Sequence, residues 1–111
     1  MNSAREPTRV HLRLYVTGRT PAASEAIAAV EDLQRELGAG CVVELIDVLD
    51  DPDAALHDGI YATPTIMRLR PGPGPARRVF GRINLSGTLR ADLQLDGDGE
   101  LNLPASTLIA G

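Results

Sequence analysis

The sequence has a single cysteine, no tryptophan and few aromatic residues, and each shortage excludes a class of function. Cys41, as the only cysteine, has no partner for an internal disulfide, and it lies in an apolar run where a buried thiol is expected. Aromatic residues make up 3% of the 111 residues, so the chain has few rings on which nucleic-acid bases could stack. The net charge of −4 offers no general attraction to a phosphate backbone. These shortages predict an aliphatic core and no nucleic-acid partner.

The sequence also lacks the patterns of membrane proteins and metalloenzymes. No stretch approaches the roughly 20 apolar residues that cross a bilayer, and the first residues have no apolar signal core, so we expect a cytoplasmic protein without a membrane partner. His11 and His57 are far apart, and neither has a cysteine or another histidine nearby, so no metal site is predicted. With no Ser-His-Asp set, no Cys-His set and no phosphate-binding glycine motif, we predict neither catalytic residues nor a cofactor.

The first half of the chain has the pattern of a strand, a helix and a parallel strand. Residues 10–16 alternate in polarity, which predicts a strand. Thr20 before Pro21 is typical of a helix start, and apolar residues then recur at helical spacing as far as Gly38. Residues 41–49 are apolar on both faces, which predicts a central strand parallel to the first.

The second half begins with clear signals and then becomes ambiguous. Asp51 before Pro52 predicts a short helix to about residue 58, and strands follow at 65–69 and 77–81 on either side of a proline-rich loop. After Gly81 the apolar residues fit both a strand of period two and a helix with leucines four apart, with Asn84 or Ser86 as its cap. We therefore divide the chain into a flexible lead (1–9), one domain (10–95) and an Asp/Gly-rich tail (96–111) that contains turns rather than a calcium loop.

Charge is distributed unevenly along the chain. Asp47, Asp50, Asp51 and Asp53 surround a predicted helix N-terminus, and the helix dipole accounts for them without catalysis. The second half is rich in arginine, which indicates either a solvated strand face or a docking face for an acidic partner; these arginines are Arg68, Arg70, Arg77, Arg78, Arg82 and Arg90.

The order of these elements is typical of an α/β, thioredoxin-like domain, βαβαββα, with a mixed four-stranded sheet. In such a domain a redox enzyme carries C-x-x-C at the turn between the first strand and the first helix. Here the turn, from Thr17 to Ser24, has no cysteine, which indicates binding rather than catalysis. Pro64, in the run from Ala62 to Thr65, lies where this fold has a cis-proline, so we expect the Thr63–Pro64 bond to be cis.

The chain resembles the KaiB family of bacterial clock proteins over residues 10–95. The resemblance rests on short motifs whose order and spacing are specific in combination. They are Leu14-Tyr-Val-x-Gly-x-Thr-Pro21, Val42-x-Glu-Leu-Ile-Asp-Val-Leu49, Pro52, Ala62-Thr-Pro-Thr65, a proline-rich loop, and then Arg77, Arg78 and Gly81.

The resemblance implies a function without catalysis. KaiB-like proteins dock on the ATPase ring of KaiC-like proteins and modulate its phosphorylation or signalling cycle, and a KaiA-like protein or a histidine kinase is a further partner. On this basis we predict that the second strand, the first helix and its leading turn form the docking edge, with contacts from Arg19, Glu25, Val43 and Glu44. Because Glu44 stands where the family often has a basic residue, partner choice is expected to differ. Dimers and tetramers are both compatible with the resemblance.

Some KaiB-like proteins rest in a second fold with a rearranged C-terminal half, and the ambiguous segment after Gly81 is the part that switches in them. Switching members carry Gly-Leu-Asp-Leu where this chain has Asp92-Leu-Gln94-Leu. Since Asp92 and Gln94 replace the two special residues, we expect the thioredoxin-like fold.

Two other functions remain open from the residues alone. The first is a thiol-linked enzyme that uses Cys41 in a degenerate redox site. The second is a redox-inactive adaptor that binds an unrelated partner through the hairpin that carries Arg77 and Arg78.

Overall fold

A computed structural model of the protein describes residues 9–71 and 77–95. Our predictions for the lead before residue 9, the proline-rich loop and the Asp/Gly-rich tail lie outside these residues. The predicted order βαβαββα is confirmed. The elements are β1 (Val10–Val16), α1 (Pro21–Leu37), β2 (Cys41–Asp47), α2 (Pro52–His57), β3 (Thr65–Arg70), β4 (Arg77–Phe80) and α3 (Ser86–Asp92).

The four strands form one mixed sheet in the order β2-β1-β3-β4. β1 pairs with β2 in parallel and with β3 antiparallel, and β4 pairs antiparallel with β3. The prediction that β2 is central was wrong, because β2 lies at an edge. Apolar residues on both faces of a strand predicted that β2 is enclosed, but Val42 and Leu45 on its two faces remain exposed because no strand lies beyond this edge in the described residues.

Helix starts follow the local sequence signals. The Thr20 side chain accepts a hydrogen bond from the Ala23 backbone N–H at 3.1 Å, and Pro21 occupies the first helical position, where no backbone donor is needed. Asp51 caps α2 in the same way, accepting from the N–H of Ala54 at 3.1 Å. These two caps fix where α1 begins on one face of the sheet and where α2 begins on the other.

Helices cover both faces of the sheet. The main core lies between one face and the helices α1 and α3, with Leu12, Leu14 and Ile66 from the strands and Leu33 and Leu93 from the helices. A smaller core lies on the other face, where Tyr15 and Met67 pack beneath Ala55 of α2. Apolar residues on both faces of β1 are thereby removed from water, which is the main source of stability.

The segment after Gly81 forms a helix, although neither predicted cap is used. Leu85 occupies the cap position without a side-chain hydrogen bond, and the Ser86 hydroxyl instead donates to Oε2 of Glu36 at 2.8 Å. Leu89 and Leu93 are both buried against the main core. Packing of one leucine face therefore selects the helical period over the strand period.

The end of α3 places a glutamine in the left-handed conformation. The Gln94 N–H donates to Ala91 O at 3.0 Å and the Leu95 N–H donates to Arg90 O at 2.9 Å, a Schellman motif with Gln94 at the position that usually holds glycine. Its φ is 59°. For a residue with a Cβ atom this conformation costs roughly 1–2 kcal/mol.

We predict that Gln94→Gly raises the free energy of unfolding by about 0.5–1 kcal/mol, because glycine adopts positive φ without that cost. Urea denaturation followed by circular dichroism measures the change. Gln34→Gly is the matched control: Gln34 lies inside α1, where the same substitution should be destabilising. A lower midpoint for Gln94→Gly would contradict the motif.

The described residues contain no helix that is both long and apolar enough to cross a membrane.

Candidate functional site

The turn between β1 and α1 is held by contacts from two other loops. Gly18 has a φ of 57° and donates its N–H to Oδ1 of Asp47 at 3.0 Å. The Thr17 hydroxyl lies 2.6 Å from the hydroxyl of Thr63 in the loop before β3. The turn, the end of β2 and the loop before β3 therefore meet at one end of the sheet.

Asp47 organises this meeting point, and our assignment of it to a helix N-terminus was wrong. Its Oδ1 accepts from the N–H groups of Gly18 and Leu49, at 3.0 and 2.9 Å. These backbone hydrogen bonds, first from Gly18 and then from Leu49, hold the pKa of Asp47 below its usual value. Asp51, by contrast, does cap a helix. Asp47 thus fixes the turn rather than α2.

A groove opens beside the Thr63–Pro64 bond, which is cis. It has a volume of about 370 Å³ and passes between the first turn of α1 and the segment after β4. Arg82 Nε lies 3.6 Å from Glu25 Oε1 across it. The residues that line the groove are Pro21, Ala22, Glu25, Thr63, Pro64, Gly81, Arg82 and Ile83.

Exposed apolar side chains line the edge of the sheet along β2 and continue into the loop after it; Val42 and Leu45 lie on opposite faces of this strand, in register with His11 and Leu14. Val42 is 42% exposed, Leu45 is 53% exposed and Leu49 is 68% exposed. Leu49 lies over the turn, since a Cβ atom placed on Gly18 would be 3.4 Å from its Cδ1. We call Val42, Leu45 and Leu49 the β2 surface. Large apolar side chains left in water along an edge strand are typical of a protein contact.

The four predicted contact residues occupy two separate regions. Arg19 is exposed in the turn, and Glu25 is exposed on the first part of α1. Val43 and Glu44 lie midway along β2, in register with Leu12 and Arg13. The Val43 side chain packs against the main core, whereas Glu44 points to the opposite face, where it is partly exposed.

Glu44 belongs to a chain of polar side chains on the α2 face of the sheet. Its Oε1 is 2.9 Å from Nε2 of His11 and accepts from Arg13 Nε at 2.9 Å. Arg13 also donates to Asp58 Oδ2 at 2.9 Å, and the Tyr15 hydroxyl donates to the same oxygen at 2.5 Å. This chain, which we call the β1 network, ties β2 to the end of α2.

The β1 network shifts the pKa values of its two carboxyl groups and of its phenol. Burial alone would raise the pKa of Asp58, but the hydrogen bonds from Tyr15 and Arg13 outweigh it and lower that pKa. The pKa of Glu44 is likewise lowered by its bonds to Arg13 and His11, against the effect of burial. Burial, and then the hydrogen bond to ionised Asp58, raise the pKa of Tyr15 to about 12. Both carboxylates are therefore ionised at neutral pH while the phenol stays neutral.

Cys41 is not placed for redox chemistry. It lies at the start of β2, is 5% exposed and belongs to the main core. Burial raises the pKa of its thiol, against a smaller opposing effect of Arg9. A reactive thiol needs a lowered pKa and access, so this geometry disfavours the thiol-enzyme hypothesis. Within residues 9–71 and 77–95, no group of three or more His, Cys, Asp or Glu residues could hold a metal ion.

Sequence reasoning missed three residues of this region. Asp47 and Thr63 act through contacts with residues 29 and 46 positions away, which no local pattern reports. Arg82 was noted only as part of the arginine-rich half, although its pairing with Glu25 brings it to the groove. The sharp turn at Gly18 was the one available signal, since positive φ favours glycine.

Comparison with known protein families finds a match over residues 13–94 to the KaiB domain. The circadian clock protein KaiB3 of Synechocystis is 38% identical over 89 residues, which cover 79% of this chain and 83% of that protein. The circadian clock oscillator protein KaiB of Nostoc is 38% identical over 97 residues, which cover 86% of this chain and 84% of that protein.

Solved structures confirm the thioredoxin-like fold. Chloroplastic thioredoxin z superposes with a TM-score of 0.69 at 19% identity, over 79% of this chain and 78% of its own. The N-terminal domain of Synechococcus elongatus SasA superposes with a TM-score of 0.61 at 21% identity, over 86% of this chain and 92% of its own. At such identities the likeness concerns the fold alone.

Proposed function

We propose a function for this chain from the premise that it belongs to the KaiB family, whose relatives are circadian clock proteins. It binds a KaiC-like ATPase without catalysing a reaction of its own, and binding modulates the phosphorylation or signalling cycle of that ATPase. A KaiA-like protein or a histidine kinase of the same system is a further partner.

The observation that carries this proposal is the β2 surface. Val42, Leu45 and Leu49 expose apolar area along an edge strand, and the turn with Arg19 lies beside Leu49. A partner that covers this edge gains hydrophobic burial and main-chain hydrogen bonds together. Arg19, in the turn beside Leu49, then supplies a charged contact at the rim, and Glu25 supplies a second one from the groove side of α1. Such charges guide association more than they add affinity.

The absence of a thiol at the turn supports a binding function. Residues 17–24 hold hydroxyl and guanidinium groups but no sulfur, and Cys41 is buried in the main core. The groove beside Pro64 is then a recognition surface rather than a place for chemistry.

We predict that Leu45→Glu weakens binding to the KaiC-like ATPase of the same genome at least tenfold, because it places a charge on the apolar edge that the partner covers. Leu45 is more than half exposed, so the variant should remain folded. Size-exclusion co-elution with ATP present, followed by a titration, measures the change.

Leu56→Glu is the matched control for that experiment. Leu56 is 80% exposed on α2, outside the β2 surface, so the same substitution there should leave affinity unchanged. If the two variants lose affinity equally, the β2 surface is not the contact. If the wild-type chain elutes alone under every nucleotide condition, the proposed function itself fails.

A further inference from the structure

The opposite edge of the sheet has a charge that the proposed function does not use. Residues 59–91 contain six arginines and no aspartate or glutamate, although the whole chain has a net charge of −4. β4 lies within this stretch and is the last strand of the sheet, beyond β3. The sheet therefore ends on a strongly basic strand.

The main-chain groups of β4 alternate between the two sides of the strand. The Gly81 N–H donates to Pro64 O at 3.3 Å, and antiparallel pairs alternate between bonded and non-bonded positions. In the observed register Val79 lies opposite Ile66 and Arg77 lies opposite Arg68, both at hydrogen-bonded positions, so their main-chain groups face β3. The N–H and C=O groups of Arg78 and Phe80 consequently point away from β3. Among the described residues, no strand pairs with that side.

The side chains of β4 carry charge that the described residues do not neutralise. Arg77 donates from Nε to the backbone oxygen of Asp92 at 2.7 Å. Arg78 donates to the backbone oxygens of Gly59, at 3.2 Å, and Asp58. Carbonyl groups satisfy the donors but leave the positive charge in place. Phe80 is 71% exposed at the end of the same edge.

We propose that β4 is a second docking edge, which takes an extended acidic segment of a partner protein as a fifth strand. The segment bonds to the open main-chain groups of Arg78 and Phe80. On one face of the sheet its carboxylates lie opposite Arg77, and on the other face its apolar residues cover Phe80. This site is separate from the β2 surface and does not depend on the proposed function. With both edges in use, the protein joins two partners.

Charge favours such a partner over a second copy of this chain. Pairing β4 with β4 of another molecule brings arginines against arginines, which is unfavourable between neighbouring strands. The carboxylates of the other edge are already engaged, Glu44 with Arg13 and Asp47 with the backbone of Gly18. An acidic strand from another protein has no arginines to repel those of β4, and its carboxylates are free to pair with them.

The test uses a labelled seven-residue peptide of alternating glutamate and valine with blocked ends, and the same peptide with lysine for glutamate as its counterpart. We expect the full-length protein to bind the acidic peptide, more weakly as salt rises, with amide NMR shifts centred on Arg78 and Phe80. We expect no binding of the lysine peptide. Equal binding of both peptides, no binding at millimolar peptide, or shifts centred on β2 would overturn the proposal.

Two pairs of variants separate charge from strand addition. Phe80→Pro removes an outward N–H that an edge strand does not need for its own ladder, so it should abolish peptide binding, whereas Phe80→Ala should retain part of it. Arg77→Gln should weaken binding about fivefold, while Arg35→Gln, the same charge change on the outer face of α1, should not. Unchanged affinity in Phe80→Pro excludes strand addition. A mass that rises with protein concentration and blocks the peptide would identify a second copy as the occupant, against our proposal.

Discussion

Leu93→Ala should lower the free energy of unfolding by about 2–5 kcal/mol, the cost of removing a fully buried leucine side chain. Leu93 has no exposed surface and belongs to the main core, where α3 packs on α1. A domain of this size has about 5–15 kcal/mol of stability in total, so the variant should unfold at a much lower urea concentration. Urea denaturation followed by circular dichroism measures the loss.

Leu85→Ala provides the control for this prediction. Leu85 directly precedes α3 and is 60% exposed, so the same truncation there should change the free energy of unfolding by less than about 0.5 kcal/mol. Similar losses in both variants would mean that α3 does not pack on α1 through Leu93. The comparison therefore also tests the packing that selects the thioredoxin-like arrangement of the C-terminal segment.

Asp58→Ala should cost about 2–3 kcal/mol at neutral pH, because it removes the ionised acceptor of the Tyr15 hydroxyl and of one arm of the Arg13 guanidinium. The Tyr15 hydroxyl then keeps only the Ala54 backbone oxygen, at 3.0 Å. The pKa of Asp58 is lower in the folded protein than in the unfolded chain. Its contribution is therefore fully present above the unfolded pKa of about 4 and disappears as the pH falls through the folded value.

Urea midpoints of the wild type and Asp58→Ala between pH 7 and pH 3 test this linkage. The difference between the two proteins should shrink as the pH falls below about 4. Asp50→Ala removes an exposed carboxylate nearby and should follow the wild type at every pH. A constant difference between wild type and Asp58→Ala down to pH 3 would show that the loss arises from packing and not from the ionised carboxylate.

The β1 network also predicts behaviour at alkaline pH. The pKa of Tyr15 is raised to about 12, so the stability associated with its neutral phenol is present below the unfolded value of about 10 and is lost as the pH rises through 12. Protonation of Asp58 at low pH and ionisation of Tyr15 at high pH therefore each lower the free energy of unfolding.

Local sequence determined the elements and most of their ends. Thr20 before Pro21 and Asp51 before Pro52 predicted two helix starts, and both side chains form the expected caps. The alternation in β1 and the two-sided apolar pattern of β2 predicted two parallel strands. These features depend on groups within a few positions of each other, so they can be read without the fold. The resemblance to KaiB proteins added the family, which the domain match confirms.

Only the tertiary structure decided the strand order, the conformation of the segment after Gly81 and the contacts between residues far apart in the sequence. β2 lies at an edge because β3 takes the other side of β1, and only that position exposes Val42 and Leu45. The period of α3 was ambiguous until packing of Leu93 on the main core selected the helix. Asp47 reaches Gly18 across 29 positions, and the β1 network joins residues more than 30 positions apart. Such contacts leave no periodic trace in the sequence, because they form only when separate elements pack together.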